Sequence, residues 1–236
     1  MTLVWKRELQ GYLYTPVMYI FLIVYLCLSS VFFIIGNLAA RSGNMLSLLA
    51  NMSYLWMLLT PVLTMRLLSA GDSGGDQLLY NSAMPLSDIV LGKYLASVTV
   101  LFAAAILSLL YPAIIAVAGT LYWQETLAGY LGFLLLGASF LAVDLWIASL
   151  TKTPVIALVA GFGVNLFIWL SELFLKAVSI PAVAGFAEKI SLYRHLAPFL
   201  SGRIGLGDVV FDAAFIGLML FLCVRTLEIR RWRNGL

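Results

Sequence analysis

Charge is what this sequence has least of: only 11% of its 236 residues are Lys, Arg, Asp or Glu. A soluble domain carries about 25%, so this chain cannot cover a packed core with a solvated surface. Cysteine is equally sparse, and Cys27 and Cys223 both fall inside apolar runs. A disulfide framework would place them in extramembrane loops at regular spacings. There is one histidine, His195, with no H-E-x-x-H pair or cysteine cluster to complete the three protein ligands a catalytic zinc takes. No G-x-x-x-x-G-K-[ST] loop occurs, so the chain has no phosphate cradle for a nucleotide. The net charge of +3 is modest and gives no pointer to nucleic acid.

Apolar residues fill the space: 63% of the chain is hydrophobic and the mean hydropathy is +1.03. Runs such as "VMYIFLIVYLCLSSVFFIIG" and "YLASVTVLFAAAILSLLYPAIIAVA" have the roughly 20 residues needed to cross a hydrocarbon layer as helix. Six spans are expected, at about 17–36, 46–68, 94–118, 129–150, 154–175 and 208–226, with Pro61 and Pro112 inside the second and third. Residues 1–15, "MTLVWKRELQGYLYT", suit a helix lying in the interface, with Trp5, Tyr12 and Tyr14 towards lipid and Lys6, Arg7 and Glu8 towards water. Pro16 then turns the chain into the first span. This apolar run is longer than the 7–15 residues of a signal peptide, so the segment is expected to be retained.

Six spans place both termini on one side, and the distribution of Lys and Arg assigns that side. Nine of the fourteen basic residues, Lys93 among them, fall on the side of the termini. The expected fold is therefore all-α: a polytopic membrane protein with six transmembrane helices, N-in and C-in, multi-pass in a plasma membrane. Its interfacial helix is 1–15 and its six-helix transmembrane domain 16–236, with an outer loop at 176–207.

One cytoplasmic stretch departs from this composition: "SAGDSGGDQLLYNSAMPLSDIVLGK", residues 69–93. Asp76 is placed to cap a short helix of about two turns before Pro85. Leu78, Leu79 and Met84 give it an apolar face, with Gln77 and Asn81 opposite and Tyr80 between. Ser87 or Asp88 is then placed to cap the third span. Such a helix reads either as part of a solvated loop or as a coupling helix gripped by a partner, since it has nothing of its own to bury against.

Four pieces, in order along the whole chain, resemble the permease subunits of ABC-2 type ABC exporters, in the branch typified by gliding-motility permeases. They are "WKRELQGYLYTPVMYIF"; "LTPVLTMRLL" with "GGDQLLYNS" and "DIVLGKYLA"; "GYLGFLLLGASFLAVDLWIASLTKTPVIA"; and "SLYRHLAPFLSGRIGLGDVVFDAAFIGLMLFLCVRTLEIRRW". The last carries the family's His, Phe, Gly and Asp at His195, Phe199, Gly202 and Asp208. The chain departs from the pattern after Arg66, where members often carry two glutamates. Ala70 and Gly71 stand there, and Asp72 is the nearest acid. The proline after the coupling helix is displaced to Pro85.

The resemblance implies a subunit that is not itself an enzyme and holds no cofactor, located in the bacterial inner membrane. ATP and Mg would be bound by two copies of a separate ATPase, docked on residues 76–83 and on the N-terminal helix. A second permease protomer, identical or related, would complete the pathway, with lipid and an extracytoplasmic accessory protein as further partners. Export as the direction rests on the resemblance alone.

Two other readings stay open on the residues. An ATP-independent pore or assembly scaffold needs only the spans. An intramembrane aspartyl protease is suggested by "GLGD", ending at Asp208, with Asp144 as second acid, although Asp208 also suits a helix N-cap. Asp144 stands well inside the fourth span and, with Asn165, is a candidate pathway residue, because an intramembrane acid faces protein or water. "GAS" at 137–139 lacks the closing Gly of a serine-nucleophile elbow.

Overall fold

The computed structural model describes residues 2–39, 43–68, 85–118, 122–177 and 191–233. Among them the chain is helical, without a strand. The helices are α1 (Thr2–Tyr14), α2 (Pro16–Phe33, continued by a wider π-helical stretch Ile34–Ala39), α3 (Met45–Thr64), α4 (Leu86–Ser108), α5 (Leu110–Ala118), α6 (Trp123–Leu150), α7 (Pro154–Ala177), α8 (Leu192–Leu200) and α9 (Leu206–Arg233). Five stretches are long and apolar enough to cross a membrane: Pro16–Ala39, Met45–Thr64, Leu86–Val117, Trp123–Leu150 and Leu206–Trp232. The fifth span expected from sequence forms α7, which runs over Pro154–Ala177.

Helix α6 is the axis, with 72% of its apolar window buried against 22% for α2 and 17% for α9. Its glycines explain how neighbours come so close. A Cβ on Gly137 would lie 2.6 Å from Leu101 and 3.0 Å from Trp56 Nε1, and one on Gly132 would lie 2.5 Å from Phe199. Small residues let helix backbones approach inside a membrane, where lipid offers no hydrophobic drive for association. The "GAS" at 137–139 is therefore mid-helix packing surface and not a turn. Trp56 fixes the contact by donating Nε1–H to Phe133 O at 3.1 Å and stacking on Tyr25 at 4.9 Å.

Cross-helix bonds give the relative directions. Tyr94 meets Ala138 and Tyr130 meets Ser108, so α4 runs antiparallel to α6. Cys223 meets Leu145 and Arg230 meets Ser149 and Thr151, so α9 runs parallel to α6. Asn165 meets Met57 while Gly161 packs on Pro61, so α7 runs antiparallel to α3.

The prolines act through the carbonyls they release. Proline has no N–H and displaces the carbonyl four residues before it. Pro112 interrupts the third expected span: α4 ends at Ser108 and α5 starts at Leu110. The released Ser108 O accepts from Tyr130 Oη at 2.9 Å. Tyr130→Phe leaves that buried carbonyl unmet and is expected to cost about 1–3 kcal/mol. The check is thermal unfolding in detergent beside Tyr122→Phe, an exposed tyrosine whose loss should change nothing.

Helix starts differ from the expected caps. Pro85 itself occupies the N-cap of α4, with no side-chain cap bond, and Asp88 sits in the first turn. Proline's fixed φ and extended ψ serve the position without a capping side chain. Likewise α9 begins at Leu206, before Asp208, so Asp208 is not its N-cap. The acids still stand where the positive end of a helix favours them.

Candidate functional site

Three polar constellations among the described residues hold candidate residues. The first lies where α1 crosses the ends of α3 and α4. Tyr12 Oη donates to Leu63 O at 2.7 Å and lies 3.1 Å from Ser97 Oγ. Leu67 N–H turns to Thr64 O, and the released Leu63 carbonyl takes the tyrosine, as carbonyls at helix ends need outside donors. Burial pushes the Tyr12 hydroxyl above the usual phenol range, which keeps it a donor.

Beside Tyr12 the Lys93 side chain is only 1% exposed. Its Nζ donates to Leu67 O at 2.6 Å and pairs with Glu8 Oε1 at 3.3 Å. Arg7 also reaches Glu8, at 3.2 Å, while Lys6 is exposed. Lys93, counted above as a surface charge that orients the chain, is a buried pin. Trp5 Nε1 donates to Thr99 Oγ1 at 3.1 Å, and a Cβ on Gly92 would lie 2.8 Å from Val4.

A helix does form over Thr2–Tyr14, but Trp5 and Tyr12 turn their polar atoms to α3 and α4. Tyr14, 89% exposed, is the ring left outside. The physical reason is that each ring carries a donor, which finds the Thr99 hydroxyl on α4 and the Leu63 carbonyl at the end of α3.

These contacts pin both borders of segment 69–84. Asp76, Gln77, Leu78, Leu79, Tyr80 and Asn81 themselves lie outside the described residues, as does 178–190 of the outer loop. Where the chain re-enters the described part, Pro85 and Leu86 share a groove with Val224, Glu228, Arg231 and Trp232 at the end of α9.

The second constellation is inside the bundle and unites the two candidate pathway residues. Asn165 Nδ2 donates to Asp144 Oδ1 at 3.0 Å. The same amide reaches Met57 O at 3.3 Å, the carbonyl that Pro61 cannot serve. Thr60 donates to Trp56 O at 2.7 Å. Asp144 is 2% exposed and Asn165 fully buried.

The third lies at the opposite end of the bundle from α1. His195 Nδ1 and Asp208 Oδ1 are 2.6 Å apart, and the imidazole stacks on Phe211 at 3.9 Å. Helix α8 lies across α6 through Phe199, fully buried against Gly132. Gly202 ends α8 with φ +75°, a left-handed turn that favours glycine, and its N–H donates to Phe199 O at 3.1 Å. His195, Phe199, Gly202 and Asp208 thus form one assembly.

Asp212 belongs to this assembly and was missed. It is 4% exposed and neighbours His195, Asp208 and Ser139, so it is a second acid, besides Asp144, buried in an apolar helix. The signal was present: Asp208 and Asp212 are four apart in "GDVVFD", one face of a helix.

Asp144 and Asp208 do not form a protease dyad. The level of Asp144 on α9 is marked by Cys223 beside Leu145, about 22 Å along the helix from Asp208 at 1.5 Å per residue. Two carboxylates share a proton only at contact distance.

Fold and constellations together define a helical membrane protein, without a strand among the described residues. No family model matches the chain, and no curated protein matches its sequence.

Proposed function

We propose that this chain is the permease subunit of an ATP-driven ABC-2 type exporter. It crosses the inner membrane six times with both termini in the cytoplasm, and a separate ATPase drives it. The observation that carries the reading is the pinning of both borders of segment 69–84. Tyr12 and Lys93 hold the end of α3, and Glu8 and Trp5 hold the start of α4. A push on the segment between those borders reaches α1, α3 and α4 as one body. A coupling helix needs such a mount, and a solvated loop does not.

The antiparallel packing of α4 on α6 and of α7 on α3, with α9 parallel to α6, supports six crossings with α7 as the fifth. Four sequence pieces in family order support the class. The ATPase, two copies binding ATP and Mg, docks on residues 76–83 and beside α1. A second protomer, the same or related, completes the pathway.

Replacing Leu78 and Leu79 together by Asp removes the apolar face on which the ATPase would seat. Insertion in the membrane is expected to be unchanged and co-isolation with the ATPase lost, at least tenfold, about 1.4 kcal/mol or more. Undiminished ATPase recovery with the double variant overturns the docking assignment and favours an ATP-independent pore or scaffold.

A further inference from the structure

Every unmet valence around Asp144 is an acceptor. Its Oδ1 accepts one bond from Asn165 Nδ2, and the other hydrogen of that amide goes to Met57 O. Thr60 is within hydrogen-bond reach of the same carboxyl group, but it has one hydroxyl hydrogen, and the short bond to Trp56 O at 2.7 Å takes it. Two oxygens are left buried without a partner, Asp144 Oδ2 and Asn165 Oδ1. Buried polar atoms are nearly always bonded, so what this site lacks is a hydrogen.

An ionised Asp144 would also lack a counter-charge. Among the described residues the side chains that interact with it are Thr60 from α3 and Asn165 from α7, neither of them charged. An unpaired charge inside a membrane helix costs several kcal/mol, and removing one member of a buried pair shows a similar cost. The walls are tight as well. A Cβ on Gly161 would lie 3.0 Å from Asp144 Oδ1 and 3.1 Å from Pro61 Cβ. A proton needs no room, whereas a metal cation needs further oxygens and space among them.

We propose that Asp144 is a proton-binding site inside the bundle, in which a proton on Oδ2 is donated to Asn165 Oδ1 and closes an acid–amide pair between α6 and α7. One O–H bond forms on the carboxylate, the proton comes from water or hydronium, and the charge of the site falls to zero. Release runs the other way: the O–H bond breaks, water takes the proton, and the seam holds a bare carboxylate facing an amide oxygen. Because Asn165 also serves the carbonyl freed by Pro61, the pair is a latch between α6, α7 and the proline site of α3. Proton loss removes one of its two bonds and draws water between α6 and α7. The site goes beyond the ATPase reading and stands whatever drives the chain.

The test is infrared difference spectroscopy of the purified full chain in lipid nanodiscs, wild type against Asp144→Asn. Asparagine is isosteric and keeps both bonds, accepting from Asn165 Nδ2 and donating to its Oδ1, so the variant is expected to fold. Asp208 and Asp212 are present in both samples and cancel. The expected result is a C=O band of an un-ionised carboxylic acid at neutral pH in the wild type. It should be lost in Asp144→Asn, shifted in Asn165→Leu, and lost reversibly in the wild type as pH is raised. Superposable spectra from two folded samples overturn the proposal. A band that disappears on adding sodium at constant pH also overturns it, because the site then takes a metal cation.

Discussion

Lys93→Ala is expected to cost this protein about 3–5 kcal/mol, the usual effect of removing one partner from a buried ion pair. Three elements depend on that side chain. It caps the end of α3 through Leu67 O, pairs with Glu8 of α1, and stands on α4, which begins seven residues before it at Leu86. Glu8→Gln should be milder, because Glu8 keeps some contact with water at 15% side-chain exposure and Lys93 retains Leu67 O. Replacing both by apolar residues, Lys93→Met with Glu8→Leu, should be less damaging than Lys93→Met alone, since no unpaired charge remains. Thermal unfolding of the four variants in one detergent gives the order. Wild-type unfolding by Lys93→Ala would show that the ammonium pins nothing.

At the other end of the bundle, Gly132→Ala and Phe199→Ala should each be severe and yet partly cancel. The added methyl of Gly132→Ala would lie 2.5 Å from Phe199 Cβ and 2.7 Å from its Cγ, closer than real Cβ atoms approach anything. Overpacking of this kind costs about 1–3 kcal/mol. Phe199→Ala empties a fully buried site, at about 3–5 kcal/mol. In the double variant the new methyl enters the space the ring has left. The sum of the single effects should therefore exceed the double by 0.5–3 kcal/mol, the range for residues in contact. Strict additivity would mean that α8 does not rest on α6 through this pair.

How far the sequence could be read differs between the two ends of the argument. Apolar runs of spanning length made the long helices legible, because in lipid a helix satisfies its own backbone. The prolines were legible as residues that release a carbonyl, but not the partner each carbonyl takes. That Tyr130 would serve Ser108 O and Asn165 would serve Met57 O depends on which helices neighbour one another, which a composition does not carry. Asp144 and Asn165 were legible as intramembrane polar residues 21 positions apart, and the structure brings them to 3.0 Å.

Lys93 departs from the expected surface position, because a lysine at a span border is ordinarily a surface charge and this one is buried. Its burial follows only from α1 folding back over the ends of α3 and α4. The rings of α1 were read as lipid-facing for the same reason: amphipathicity says that one face is apolar, not whether lipid or protein covers it. Asp212 was overlooked although its i, i+4 relation to Asp208 was visible.

The proposed exporter function requires a partner that hydrolyses ATP, and co-isolation tests that requirement. The tagged chain is crosslinked in its native membrane, purified in mild detergent, and its companions identified and counted. The account predicts an ATP-binding cassette subunit at one copy per permease chain, two of each in the complex. Recovery of the chain alone after crosslinking, with no ATPase, would contradict it and leave a pore or a scaffold as the function of this bundle.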